Sequence, residues 1–395
     1  MSINLHCLGA SGEVGRSAFV LHTDGKMLLD YGVKLFDESR KPVYPLKMDG
    51  INLDAAFITH AHLDHSGFVP NLYKFSKIPW YGTPPTYDIA DLLWKDSMKI
   101  QGDELPWGMQ HYKKALKYWH PMMYNHPVTV RSTSVEFRDA GHILGAAIAL
   151  IKYKGKKICY SGDFKLEKSR LHAGAKTIKE GVDALIIETT YSDRDHPDRK
   201  KLEKEFADEI EETVEAGGTV LCPAFAVGRS QELIRIIRAH SKDVPIYLDG
   251  MSKAVARIYA KYKKYLCEPD KYVNDLESIN IVDSMIARKN ATAGGGVIVS
   301  TAGMMEGGPA INYVKYLNSE SKVVFTGYCM EGTNGWLLQN TGQLRIDNNL
   351  LEVDLPVEYK DFSAHAGRSD LLKFIKDANP GKIVCVHGDA ERADN

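Results

Sequence analysis

Thr59-His60-Ala61-His62-Leu63-Asp64-His65-Ser66-Gly67 follows the apolar run Ala55-Ala56-Phe57-Ile58, and the reading of this stretch decides the fold. Three histidines and an aspartate fall within six residues, at the exit of a short buried strand. On a tight loop that spacing sets out two pairs of metal-ligand side chains, His60 with His62 and Asp64 with His65. Imidazole and carboxylate suit zinc, and a ligand set split this way suits two ions better than one. The bland alternative is a histidine-rich surface loop that binds nothing. It is disfavoured because four ligand-type side chains clustered behind a strand share a desolvation cost that a cation offsets.

Working outward, other strand ends deliver the same residue types. A strand over 26–29 leads to Asp30, which either caps a turn or orients a metal-bound histidine or water. A strand over 135–139 runs into Ala140-Gly141-His142, where a lone histidine reads as a satisfied core residue. Beside the first loop, however, it is the natural third histidine of one metal. A hairpin of strands over 147–153 and 157–160 ends in Ser161-Gly162-Asp163, and a carboxylate there can offer one oxygen to each of two metals. The strand over 184–187 ends in Glu188. Function is thus gathered on one rim of a β-sheet core. Helices are expected over 67–75, 86–99 and 103–119. The glycines of 9–16 lack the G-x-G-x-x-G spacing and precede a strand, so they form a hairpin turn and not a nucleotide loop.

The 395 residues are enough for two domains, and 44% hydrophobic with 26% charged residues describe an ordinary globular chain. A net charge of −1 favours no partner, since a nucleic-acid site can be a local basic groove on a neutral protein. No apolar run reaches membrane-spanning length and no signal peptide opens the chain, so a soluble, cytoplasmic protein is expected. Six cysteines without a C-x-x-C fit that compartment; Cys159, Cys222 and Cys385 lie in apolar runs and are expected to be reduced and buried.

At this point the residues carry a resemblance. D-Y-G at 30–32, H-A-H-L-D-H at 60–65, G-H-I-L-G-A at 141–146 and S-G-D at 161–163 resemble the four ordered motifs of the metallo-β-lactamase superfamily. Glu188, F-S-A-H-A-G-R at 362–368 and V-C-V-H-G-D at 384–389 resemble its β-CASP branch. That branch comprises nucleases including the RNase J enzymes and the cleavage and polyadenylation specificity factor endonucleases. The resemblance implies an α/β protein with a four-layer αββα core from 1–191 and 361–395, a β-CASP domain inserted over 192–360, and an active site in the cleft where they meet. It implies two zinc ions, one held by His60, His62 and His142 and the other by Asp64, His65 and His387, with Asp163 bridging and Asp30 supporting. Asp64, Glu188 and His365 form the implied catalytic group, with His365 the general acid that protonates the leaving oxygen and Glu188 its holder.

The insert reads as alternating helices and strands. A helix over 199–216 and a strand over 219–223 lead to Ala224-Phe225-Ala226-Val227-Gly228-Arg229-Ser230. Arg229 and Ser230 open a helix over 231–240 and offer backbone N–H groups and a guanidinium to a phosphate; an ordinary strand-to-helix turn is the alternative. A lysine-rich helix is expected over 252–265. Strands over 244–248, 296–300 and 322–326 complete an open parallel sheet whose glycine-rich loops lie on one side. Gly303, Gly307, Gly332 and Ser363 are therefore candidate contacts to a sugar-phosphate backbone, with simple tight turning as the plain reading.

A histidine at 387 resembles the RNA-processing members, where DNA-repair members usually carry an apolar residue. The expected partner is RNA, single-stranded, cleaved internally or from the 5′ end, with a DNA nuclease as runner-up. Members usually continue past this motif and sometimes dimerise through the added part. The sequence ends at Asn395, so a shortened or minimal tail is expected, and a homodimer is possible. Two other classes compete. A small-molecule hydrolase of the superfamily would need neither the insert nor His365. A non-catalytic RNA-binding subunit would be expected to have lost ligands, and here every position is filled.

Overall fold

Along Thr133–Asp139 burial alternates, with Val135 and Phe137 buried and Ser134 and Glu136 half-buried, the period-two signature of a sheet with one face in a core. The computed structural model describes residues 3–393 apart from 38, 49, 294 and 348. The chain divides into two compact units, one of Met1–Lys168, His172–Asp195 and His365–Asn395, the other of Ser169–Leu171 and His196–Ala364.

The first unit holds two six-stranded sheets. One runs Asn4–Cys7, Ala18–His22, Lys26–Tyr31, Ala55–Phe57, Trp80–Gly82, Trp119–Pro121. The other runs Ile383–Val386, Ala184–Glu188, Lys156–Tyr160, Ala147–Tyr153, Thr133–Asp139, Val128–Val130. Their inner faces meet through Phe19, Met27, Leu29 and Phe57 against Phe137, Ala149, Ile151, Tyr160 and Ile186. Helices cover the outer faces. Pro84–Gln101 starts where prolines and a Thr83 side chain accepting the Thr86 N–H favour a first turn, and its Trp94 ring meets Trp80 edge-on at 5.8 Å. Arg368–Ala378 lies on the second sheet, with Phe374 against Phe164 at 4.7 Å. The layers run helix, sheet, sheet, helix, as expected.

The second unit is built on a six-stranded sheet in the order Asn280–Ile281, Ile246–Asp249, Gly296–Ser300, Thr219–Pro223, Lys322–Phe325, Val357–Tyr359, parallel throughout. Both faces are covered, one by Leu202, Phe206, Leu233 and Ile237, the other by Tyr313 and Leu338. Double coverage explains why Thr219–Pro223 and Gly296–Ser300 are buried at every position and read as unbroken apolar runs.

Local expectations differ from the structure in four places. Residues 67–75 do not form one helix. Helical bonding begins inside the ligand motif, over Leu63–Ser66, and Pro70, which has no N–H to donate, sits in the first turn of a second short helix, Val69–Leu72. Residues 103–119 split into a 3₁₀ turn Gly102–Glu104 and the helix Met109–Lys117. The lysine-rich helix stops at Lys261, and Lys263–Tyr265 is a 3₁₀ turn. Cys385 is exposed, not buried, because Ile383–Val386 is an edge strand whose alternation turns Ile383 and Cys385 outward. Cys159 and Cys222 are buried. No helix among the described residues is long and apolar enough to cross a membrane.

Gly32 sets the seat of the ligand loop. A Cβ on this residue would lie 1.7 Å from the Asp64 carbonyl oxygen and 2.5 Å from the His65 nitrogen. Gly32→Ala is therefore expected to destabilise the fold by about 1–3 kcal/mol, as overpacked cores are. Denaturant melts of chelator-treated protein check this, and a midpoint equal to the wild type would refute it.

Candidate metal centre

Every group of the centre leaves a strand at its carboxyl end or the loop just beyond. Asp30 lies in Lys26–Tyr31, the His60 loop follows Ala55–Phe57, and His142 follows Thr133–Asp139. Asp163 follows Lys156–Tyr160, Glu188 closes Ala184–Glu188, and His387 follows Ile383–Val386. Gly141 (φ 65°) and Gly162 (φ 50°) come just before His142 and Asp163, and side chains there would strike the Ala175 nitrogen at 2.6 Å and Thr59 at 2.8 Å. Asp30 (φ 56°) and His387 (φ 52°) hold left-handed backbone without being glycine, each at a cost of order 1–3 kcal/mol.

The structure brings nine ligand-type residues into three overlapping groups. His60, His62, His142 and Asp163 form one, Asp64, His65, Asp163 and His387 a second, and Asp163, Glu188 and His365 a third, with the donor atoms within each group no more than 4.8 Å apart. Asp163 divides its two oxygens. Oδ2 faces His60 Nε2 at 3.6 Å and His142 Nε2 at 3.9 Å, while Oδ1 faces His65 Nε2 at 3.2 Å and His387 Nδ1 at 3.5 Å. His142 Nε2 lies 3.2 Å from His62 Nδ1, and His387 Nε2 3.2 Å from Asp64 Oδ2.

Three hydroxyls that sequence reading left without a role hold these groups. Asp30 accepts the Thr59 N–H at 2.7 Å, the Thr59 hydroxyl at 2.8 Å and the Tyr160 hydroxyl at 2.7 Å, and its Oδ2 lies 2.8 Å from His65 Nδ1. His65 Nδ1 is thereby occupied, which turns Nε2 toward Asp163 Oδ1. The Thr59 hydroxyl, donating to Asp30, can accept from His60 Nδ1 at 3.1 Å, and His60 Nε2 is turned toward Asp163 Oδ2. Glu188 accepts the Phe164 N–H and the Thr190 hydroxyl, and lies 3.0 Å from His365 Nδ1. Arg368 donates to the Ser192 carbonyl and Ser369 to Asp195, which fixes the loop carrying His365. Thr59 and Tyr160 directly precede motif residues and Thr190 lies two beyond Glu188, the one signal that could have marked them.

The residues fit divalent cations on their own chemistry. His60 Nε2 is buried and makes no hydrogen bond, an expensive state for a polar atom unless an ion takes up the lone pair. The electrostatics agree. Burial, then the charge of His65, hold His60 well below the ordinary imidazole range, and burial also lowers His62. Burial opposes protonation of His65, yet Asp163 and Asp30 raise it well above that range. Burial likewise opposes a charged His365, but Glu188 and then Asp163 raise it to about 9. Asp163, against its own burial, is held well below the usual carboxylate range by His65, His387 and His365. The acids of this pocket demand positive charge.

The candidate RNA contacts all lie in the second unit. Arg229 opens the helix Arg229–His240 and is half-buried; Gly307 is exposed, Gly332 half-buried, and both hold left-handed backbone with open space around them. Ser230, Gly303 and Ser363 depart from the expectation. Ser230 is fully buried and its hydroxyl donates to the Phe225 carbonyl, Gly303 is buried under Phe225, and Ser363 is buried where its N–H donates to Asp361. Each is committed to the loop's own packing.

Three family models match this chain: the beta-lactamase superfamily domain over residues 26–221, the Beta-Casp domain over 230–338, and the Zn-dependent metallo-hydrolase RNA specificity domain over 351–395. The chain is 38% identical to the "Probable RNase MJ4" of Methanocaldococcus jannaschii, over 98% of this chain and 93% of that one. It is 36% identical to the "RNase aCSPSF2" of Saccharolobus solfataricus, over 98% and 80%. It is 33% identical to the "Transcription termination factor FttA" of M. jannaschii, over 99% and 67%. The crystal structure of a protein of unknown function from Enterococcus faecalis matches with a TM-score of 0.63 over 99% of this chain and 96% of that one, at 15% identity, a likeness of fold alone. With its hydrolase core, its parallel-sheet insert and relatives aligned along nearly all its length, the chain belongs to the β-CASP family of the metallo-β-lactamase superfamily.

Proposed function

We propose that this chain is a metal-dependent ribonuclease that hydrolyses phosphodiester bonds of single-stranded RNA. The observation that carries the reading is the division of Asp163 between two histidine-rich groups beside a Glu188–His365 pair. Relatives named as RNases and the match to an RNA specificity domain support RNA over DNA. A small-molecule hydrolase leaves the inserted parallel sheet without a purpose, and a non-catalytic subunit leaves the filled ligand positions without one. Cysteines free of disulfides fit a cytoplasmic enzyme.

His60, His62 and His142 would hold one zinc ion and Asp64, His65 and His387 the other, with Asp163 between them. Bound there, the ions would supply a water of lowered pKa and neutralise charge on the phosphoryl oxygens. The chain's own part is positional. Asp30 fixes the ring of His65, and Thr59 that of His60. Glu188 engages His365 through Nδ1 and favours its protonated form, so Nε2 can present a proton to the leaving oxygen.

Zinc analysis is expected to give two ions per chain in the wild type and fewer in Asp163→Ala, and chelation is expected to abolish RNA hydrolysis. His365→Ala is expected to keep both ions while slowing hydrolysis by about 10²–10⁴-fold, the usual contribution of a general acid. Loss of zinc in that variant would make His365 a ligand and not the proton donor.

Substrate class is decided by digesting one RNA and the DNA of the same sequence, labelled at either end and carrying a 5′ monophosphate or a 5′ hydroxyl. Cleavage of RNA alone is expected. Internal fragments whatever the 5′ group would identify an endonuclease, and mononucleotides released only from 5′-monophosphate RNA a 5′-to-3′ exonuclease. Cleavage of neither polymer by zinc-loaded protein would overturn the nuclease reading.

A further inference from the structure

Two of the gaps left by glycines in the second unit are filled from within, by one aromatic ring. The three central strands Thr219–Pro223, Gly296–Ser300 and Lys322–Phe325 end side by side, with Pro223 paired to Ser300 and Leu221 to Val323. Phe225 follows the first, Gly303 the second and Gly327 the third. A Cβ on Gly303 would lie 2.9 Å from the Phe225 nitrogen and 3.3 Å from its Cγ, and one on Gly327 would lie 3.0 Å from its Cε2. The ring is therefore seated on two residues without side chains. Its backbone is pinned as well, because both the N–H and the hydroxyl of Ser230 donate to the Phe225 carbonyl.

A phenylalanine held this firmly to fill a core would be buried, as its neighbours Ala224 and Val227 are. Phe225 instead keeps 38% of its surface exposed. Tyr328, next to Gly327, is 53% exposed, and the guanidinium of Arg229 belongs to the same turn. The place is also the one where an open parallel sheet takes ligands. The chain leaves Thr219–Pro223 toward Ile246–Asp249 on one side, and Lys322–Phe325 is added on the other. Ligands bind at the carboxyl ends of strands where the order reverses in this way. An exposed aromatic ring is what unpaired bases stack on, and it tolerates any base because every base has a π-face.

We propose that Phe225 is a stacking platform for a base of the single-stranded RNA, with Gly303 and Gly327 leaving the room that sets its ring in place. The proposal rests on the ribonuclease reading and deepens it. It also gives Ser230 and Gly303 a purpose consistent with their burial, since they shape the platform and do not touch the RNA.

The test uses the full chain and a short 2′-O-methyl RNA, checked by gel to be intact after each measurement, carrying one 2-aminopurine moved along successive positions. Stacking quenches the fluorescence of that base. In the wild type, quenching at one or two positions is expected. Phe225→Leu keeps an apolar side chain on the glycine seat, and its fold is checked by circular dichroism. It is expected to lose the quenching and to bind roughly 5- to 100-fold more weakly, the worth of one stacked base. Phe225→Trp is expected to keep both. Folded Phe225→Leu that binds and quenches like the wild type would overturn the platform. Hydrolysis of bis(4-nitrophenyl) phosphate by the zinc-loaded wild type separates the two readings. If that reaction and RNA binding persist in the wild type while Phe225→Leu changes nothing, only the platform falls; if the wild type binds no RNA, both do.

Discussion

One buried carboxylate, that of Asp30, ties together the parts on which the centre depends. It accepts from Thr59 twice and from Tyr160, and it adjoins His65 Nδ1, all within 2.8 Å. Thr59 opens the ligand loop, Tyr160 belongs to the second sheet, and Asp30 to the first. A charge with no exposed surface is tolerable only when hydrogen bonds replace its water. The requirement works in both directions, since satisfying Asp30 forces the two sheets into one register relative to each other and turns the His65 ring to a single orientation. The same contacts explain why a left-handed backbone can be sustained at Asp30: the surrounding bonds over-determine it.

The rest of the centre follows from an excess of acid. Asp163 and Glu188 are buried beside Asp64, among six imidazoles. Where a carboxylate faces an imidazole across a low-dielectric gap, the pair shares a proton or a cation, and the shifts at His65 and His365 show the carboxylates winning over desolvation. His60 and His62 go the other way, toward the neutral form that a metal ligand needs. Burial thus favours neutral rings at His60 and His62, while Asp163 and Asp30 favour a charged ring at His65 and Glu188 favours one at His365.

How much of this could be read from the sequence depends on whether the chemistry fixes the residue type. The ligands were legible because only a few side chains can bind a divalent ion, and because each stands just past an apolar run that marks a strand. Glu188 and His365 were legible only through resemblance, since 177 positions separate them and neither is distinctive alone. Thr59, Tyr160 and Thr190 were not legible in role, because a hydroxyl that supports a carboxylate looks like any other until the fold supplies its partner. Gly303 announced that room was needed without saying for what; sequence reading assigned the room to a ligand, and Phe225 occupies it. Cys385 was misread because an edge strand and a central strand share the same apolar composition, and only pairing tells them apart.

Parallel pairing is what makes residues so far apart in sequence converge. In an antiparallel pair the carboxyl ends point opposite ways, whereas parallel neighbours end together and their following loops share one rim. Lys26–Tyr31 pairs parallel with Ala55–Phe57, which brings Asp30 beside the His60 loop. Lys156–Tyr160, Ala184–Glu188 and Ile383–Val386 are parallel in turn, with Tyr160 opposite Ile186 and Glu188 opposite Val386. Asp163, Glu188 and His387 are then neighbours by register alone, although they span much of the chain. The His142 loop is the exception, joining two antiparallel strands, and it reaches the rim because its seven residues from Ala140 to Ala146 fold back over Gly141 and Gly145 with left-handed backbone at both. The all-parallel sheet of the second unit obeys the same rule independently, which is why Phe225, at the end of a central strand, lies where the loops of its neighbours meet.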